Sequence, residues 1–299
     1  LLISVAIFGF GGPIASSGSP KLVATWFENS KRGFASGIYT TGPVIGNAIA
    51  FATAANISIY FNNWRMISVI YGIILISVMT CWILFSKNKR TSKPVMQKNA
   101  KSSYRELFRI KTVQTIMILS IIFFFLNHSL GAWTPSILID KNFSITQAGY
   151  ITSACTIISL ISLILVTSLF PKNKRKQALI YILLVCAIGC LGIAYTSDYI
   201  LIGSILLVTI FKISLMPLST LILMEHKEIG PQKIGTAAGM FFASAEIGGF
   251  GGPFTIGLLR EITGSHQIGG VFSSILCLIG IIIALKLDNN DIPRSIKKF

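Results

Sequence analysis

Nine stretches of this 299-residue chain are apolar enough and long enough to cross a membrane, and no other feature constrains its fold so tightly. Their limits fall near 2–27, 33–56, 64–86, 112–135, 147–170, 177–196, 199–224, 234–259 and 269–287. A hydrocarbon core about 30 Å thick takes about 20 residues of α-helix. No water reaches that core to satisfy backbone N–H and C=O groups, so each span must satisfy its own. The runs lack the in–out alternation of a barrel strand, which leaves helix. The expected fold class is therefore all-α integral membrane, with nine visible transmembrane helices. Composition agrees, because 53% of residues are hydrophobic and only 12% are charged, about half the charged share of a soluble domain.

The net charge of +16 could suggest a nucleic-acid partner, but the basic residues sit in short clusters between spans. Their placement sets topology instead. Loop 87–111 holds nine of them, and Lys172, Lys174, Arg175 and Lys176 follow on the same side. Lys31, Arg32, Lys227, Lys233, Lys286, Arg294, Lys297 and Lys298 complete a total of 21, against Arg65, Lys141 and Arg260 on the other side. Cytoplasmic loops collect Lys and Arg, so the basic side is expected in the cytoplasm, with the C-terminus. A multi-pass protein of the plasma (inner) membrane follows, monomeric, with the lipid bilayer and a small solute or ion as its partners and no nucleic acid.

Loop 87–111 alone is long, polar and basic. It divides the chain into residues 1–86, the linker 87–111, a six-span region 112–287 and a tail 288–299. All five cysteines (Cys81, Cys155, Cys186, Cys190, Cys277) lie inside apolar spans. With no His or acidic cluster beside them they serve as small apolar filler, and neither a metal nor a cofactor is expected.

A glycine pattern recurs. Gly33, Ala35, Gly37 and Gly46 match Gly235, Ala237, Gly239 and Gly248 at a constant offset of 202 residues, with a basic residue before each helix. Glycines four apart share a helical face and let another backbone approach closely. A weak internal repeat in an apolar chain marks a transporter built from two halves. At that offset the partner of the span near Thr112 would start about 90 residues before Leu1, room for three spans. The visible helices are thus expected to be numbers four to twelve of twelve, in a fragment lacking about the first three.

Two six-helix halves, a basic central loop and a cytoplasmic tail resemble the major facilitator superfamily over essentially the whole chain. Within Gly42-Pro43-Val44-Ile45-Gly46-Asn47 the order is similar to the G-P-x-x-G-G motif of antiporter-type members, with Asn47 in place of the last glycine. Residues Pro20 to Phe27, followed by Arg32-Gly33, look like the cyanate- and nitrate-type branches. Val5 stands where many members carry an arginine, and Lys172-Asn173-Lys174-Arg175-Lys176 keeps only the basic part of the loop 8–9 motif. The resemblance implies solute transport by alternating access at a site near mid-membrane between the halves, lined in part by the helix that carries Lys212.

Lys212 lies thirteen residues after Tyr199 and twelve before Met224, roughly 18–20 Å from either end of its span. Glu246 is at similar depth. A charge there costs at least ~2.5–3.5 kcal/mol, and calls for a partner or water. Lys212 could attract an anionic substrate while Glu246 takes up a proton, or the two could simply pair and lock neighbouring helices. Asn127 and His128 precede Trp133 and Pro135; His128 could shuttle protons near neutral pH or be a packing residue. Ser16 and Ser17, in a Gly/Ser-rich run with Gly9 and Pro13, could expose hydroxyls and carbonyls to substrate, or permit tight packing. Gly33, Gly37, Gly42, Pro43, Gly46, Gly235, Gly239, Gly248, Gly252 and Pro253 are expected in helix packing and gating kinks. Arg260 and Glu261 are expected to pair at the outer surface.

The function expected is a secondary active transporter of a small, possibly anionic solute, ion- or proton-coupled. A polytopic membrane enzyme is the alternative, but the three histidines lie on separate segments and neither H-E-x-x-H nor G-x-S-x-G occurs. A non-transporting remnant of a transporter gene is the other.

Overall fold

The computed structural model describes residues 9, 26–27, 32–86, 100–170 and 174–287. Among these residues all regular structure is helical. The helices are α1 (Arg32–Tyr60), α2 (Arg65–Phe85), α3 (Ala100–Phe108), α4 (Lys111–Asp140), α5 (Ile145–Leu169), α6 (Arg175–Tyr195), α7 (Asp198–Lys212), α8 (Leu215–Glu225), α9 (Gly230–Thr263) and α10 (Gln267–Ala284). The chain divides into two compact units, Leu1–Met96 and Gln97–Phe299.

Within the first unit, α1 and α2 form an antiparallel pair joined by a turn in which Asn62 takes a left-handed conformation (φ 47°). Thr53 Oγ1 and Tyr71 Oη lie 2.7 Å apart across the pair. No residue of α2 is buried, although it is among the most apolar segments of the chain. From Ile73 to Phe85 every residue of α2 is exposed, and so apolar a surface is stable only where the surroundings are themselves apolar.

The second unit is built around α4. One long side of α4 packs on α9, and α10, α5, α7 and α8 also touch it. Leu119, Leu126, Leu179, Leu183, Leu201, Ile205 and Phe241 fill the space between helices and are fully or almost fully buried. Local signals place the ends. Ser144 accepts from the Gln147 backbone N–H while the Gln147 side chain accepts from that of Ser144, a capping box that starts α5. Gly264, at φ 71°, ends α9 in the left-handed conformation that glycine adopts without a Cβ clash. Lys176 donates to the Leu285 and Leu287 carbonyls beyond α10, satisfying groups that the helix end leaves open.

Seven segments of the described residues are long and apolar enough to cross a membrane, not nine. The expected first span, 2–27, lies outside the described residues except at Gly9, Trp26 and Phe27. The span expected at 234–259 is a 34-residue helix, but its many glycines and polar residues dilute its hydropathy. The span expected at 199–224 is one of the seven, Asp198–Met224, but it is interrupted within: α7 ends at Lys212 and α8 begins at Leu215. Pro217 has no N–H to offer the Ile213 carbonyl four residues earlier, so the ladder fails at that turn. The second half of the expected linker is also ordered, as α3, with Leu107 fully buried.

Candidate functional site

α4 and α9 run parallel and unusually close, and this pair sets the site's geometry. Ser120 and Ser244 hydroxyls meet at 2.9 Å. A Cβ added to Gly248 would fall 1.9 Å from the Ile121 carbonyl oxygen, and one at Gly252 would fall 2.5 Å from that of Phe125. Both glycines therefore lie directly against α4 backbone, an approach that any side chain would prevent. Farther along, Trp133 Nε1–H donates to the Pro253 carbonyl at 3.0 Å, and its ring fills the space beside Gly257. The residues that meet keep a nearly constant difference in number, the signature of a parallel register.

On this pair stand three of the predicted residues. Asn127 and His128 are exposed on α4, and Glu246 is exposed on α9. His128 stacks on Phe124, with ring centroids 5.4 Å apart and planes 19° apart. Phe124 is braced in turn by the edges of Phe241 and Phe242. The Glu246 carboxylate and the His128 ring approach Gly249 together: a Cβ there would be 3.0 Å from Oε2 and 3.6 Å from the imidazole Cε1. Glycine at 249 leaves that space to the two side chains.

Lys212 enters from α7. It is 9% exposed, and its Nζ donates to both the backbone oxygen and the side-chain oxygen of Asn127, each at 3.2 Å. An ammonium has three protons, so two such bonds leave one for another acceptor. The break after α7 places Lys212 in the last turn of a helix, where unpaired carbonyls favour a cation. Ion pairs among the described residues include Lys233–Glu106, Arg260–Asp140 and His266–Asp140. Lys212 and Glu246 do not form one. The result is one patch holding a buried cation, an amide that fixes it, an imidazole and a carboxylate. Such a set can hydrogen-bond an anion and exchange protons beside it.

The remaining predicted residues are distributed differently. Ser16 and Ser17 lie outside the described residues. Gly33 and Gly37 fall in α1. Gly42, Gly46, Gly235 and Gly239 have open space within 4 Å of an added Cβ, so nothing described packs tightly on them, whereas Gly248 and Gly252 make the closest approaches on α9. Pro43 and Pro253 sit inside helices that continue through them. Arg260 bonds Asp140 through Nε (3.3 Å) and Nη2 (3.1 Å), not Glu261 as expected, because adjacent helical residues point to different faces. Sequence reasoning missed the break at Ile213–Ser214 and the Asp140–His266 contact. Pro217 was the available signal for the first.

Comparison with known proteins agrees with this architecture. The sequence profile of the Major Facilitator Superfamily matches residues 1–253. A protein of Staphylococcus epidermidis named as a probable nitrate transporter, NarT, is 27% identical over 313 residues, covering 97% of this chain and 73% of that protein. A protein of Agrobacterium vitis named for tartrate transport is 27% identical over 170 residues, covering 54% of this chain and 37% of its own length. The crystal structure of a bacterial homologue of the human lysosomal transporter Spinster, inward-facing and unoccupied, superimposes with a TM-score of 0.67 at 12% identity, covering 92% of this chain and 75% of that one. A profile match across most of the chain, on a helical membrane architecture shared with a solved transporter, establishes that the chain belongs to the Major Facilitator Superfamily.

Proposed function

We propose that the chain is part of a secondary active transporter that moves a small anion by alternating access, with Lys212 as the anion-attracting group. The observation that carries the reading is the state of Lys212: a buried ammonium held by Asn127 and not neutralised by Glu246. An unneutralised cation at that depth is costly unless something else compensates it, and an anionic solute would do so. Glu246 and His128, side by side at Gly249, are the groups proposed to take up a coupling proton. The names of the two relatives point to anions of quite different size, nitrate and tartrate, and are consistent with this choice of charge. Membership of a transporter family sets aside the enzyme reading.

Within that proposal the helices number four to twelve of a twelve-helix, two-bundle protein, a numbering that rests on the glycine repeat and is consistent with the chain's spanning 73% and 75% of two of the proteins it matches. The excess of basic residues on one side supports an inner-membrane orientation with α3 and residues 288–299 in the cytoplasm. The test is uptake into proteoliposomes of nitrate, tartrate and an uncharged sugar by wild-type protein and Lys212→Gln. Anion uptake that falls at least tenfold in a variant of normal thermal stability is expected. Undiminished anion uptake by folded Lys212→Gln would remove the lysine from the mechanism.

A further inference from the structure

At the end of the second unit remote from α3, one carboxylate joins three elements. Asp140, the last residue of α4, accepts from Arg260 on α9 and lies 2.6 Å from Nδ1 of His266, which directly precedes α10. His266 is only 7% exposed. Its ring packs on Trp133, centroids 5.3 Å apart, and Trp133 is itself tied to the Pro253 carbonyl of α9. The second ring nitrogen, Nε2, is buried and has no hydrogen-bond partner. His266 lines a cavity of about 10 Å³ whose other walls are mostly apolar but include Ser129 and Ser273. That volume suits one water molecule. Both hydroxyls already donate to carbonyls within their own helices, Ser129 to Phe125 and Ser273 to Gly269, so their oxygens remain acceptors.

We propose that Asp140, Arg260 and His266 form a proton-responsive clasp over a one-water site, closed when His266 is neutral and loosened when His266 is protonated. In the closed form Nδ1–H donates to Asp140, and Nε2 accepts from the water, which bridges to a serine oxygen. Protonation turns Nε2 from acceptor to donor and reverses that water. It also puts a second cation on a carboxylate that already serves Arg260. The groups facing the ring are Asp140 from α4, Arg260 from α9 and the Cys190 thiol from α6; the α10 wall, Gly269, Gly270 and Ser273, carries nothing that titrates. Burial holds the imidazole below the ordinary histidine pKa, against the opposing pull of the Asp140 carboxylate. A depressed pKa means the open state takes the proton more readily. The clasp is therefore intact above about pH 6.5 and weakens as pH falls through and below it. α4 also carries Asn127 and His128, so the clasp would tie pH at this end to the candidate site; that consequence rests on the transport reading, and the clasp does not.

The experiment is hydrogen–deuterium exchange of the full chain in nanodiscs at pH 7.5 and 5.5, corrected for intrinsic rates, following peptides over 134–141 and 262–270. At least threefold faster exchange is expected at the lower pH in wild type, and none in His266→Asn, whose amide can still donate to Asp140 but does not titrate. Equal protection of wild type at both pH values, or the same pH response in His266→Asn, would overturn the proposal. Should that variant not fold, C2–H exchange of His266 in wild type gives its pKa directly. A value below that of an unfolded peptide is expected, and one at or above it refutes the clasp.

Discussion

Replacing Gly248 with alanine probes the α4–α9 contact with a single methyl group. The new Cβ would stand 1.9 Å from the Ile121 carbonyl oxygen and 2.7 Å from its carbon. Carbon and oxygen do not approach that closely without bonding, so the helices must separate there by about 1 Å or more, losing contacts on both sides. Backbone cannot swing aside as a side-chain tip can. Forcing a methyl into packed structure costs about 1–3 kcal/mol, which is about 5- to 150-fold in a folding or binding equilibrium. Glu246 stands two residues away on α9 and His128 seven residues along α4, so separation also moves the two halves of the site apart. Gly235→Ala is the matched control: its Cβ meets nothing within 4 Å, and alanine is the better helix former by up to about 1 kcal/mol. Thermal unfolding in detergent and solute uptake, measured on both variants, decide the matter. Gly248→Ala is expected to lose stability and at least tenfold in uptake, with Gly235→Ala at least as stable as wild type and undiminished in uptake. Wild-type behaviour of Gly248→Ala would refute the packing argument.

Other substitutions separate the remaining parts of the account. Pro217→Ala returns an N–H to the Ile213 carbonyl, so α7 and α8 are expected to fuse; hydrogen exchange at residues 213–218 should slow while uptake falls, and unchanged exchange would mean that the proline is not what breaks the span. Asn127→Ala removes one of the two acceptors of Lys212, and the apparent affinity for anion should change before folding does; an unaltered KM contradicts that positioning role. Trp133→Phe gives up the Nε1–H bond to Pro253, about 1 kcal/mol of stability, visible as a lower unfolding temperature. Ser144→Ala removes the capping box of α5 at about 0.5–2 kcal/mol, and exchange at residues 145–149 should rise; no change there would show the cap to be dispensable.

The membrane spans were legible because an apolar run in lipid has one backbone solution. Their number was harder to fix, since α9 mixes apolar residues with glycines that make its close contact with α4 and lower its hydropathy together. Lys212, Glu246, Asn127 and His128 stood out as polar groups in costly places, and the structure gathers them on neighbouring helices. Which of them bond each other was not legible. Depth along a span says how far a residue lies from water, but not which way it points. That is why a Lys212–Glu246 pair was an open alternative and why Arg260 was matched with its neighbour Glu261 instead of with Asp140, 120 positions earlier. Similarly, the glycine repeat marked every small residue equally, and only packing separates Gly248 and Gly252 from Gly235 and Gly239.

The central claim is that Lys212 binds the transported anion, and the most direct measurement is equilibrium binding to the purified transporter in nanodiscs. Nitrate and a small dicarboxylate would be titrated against wild type and Lys212→Gln, with folding checked by thermal unfolding. Hydrogen bonds to a charged group contribute about 1.5–3 kcal/mol, so the variant should bind the recognised anion about 10- to 150-fold more weakly. Equal affinity of the two proteins for every anion that wild type binds would contradict the account.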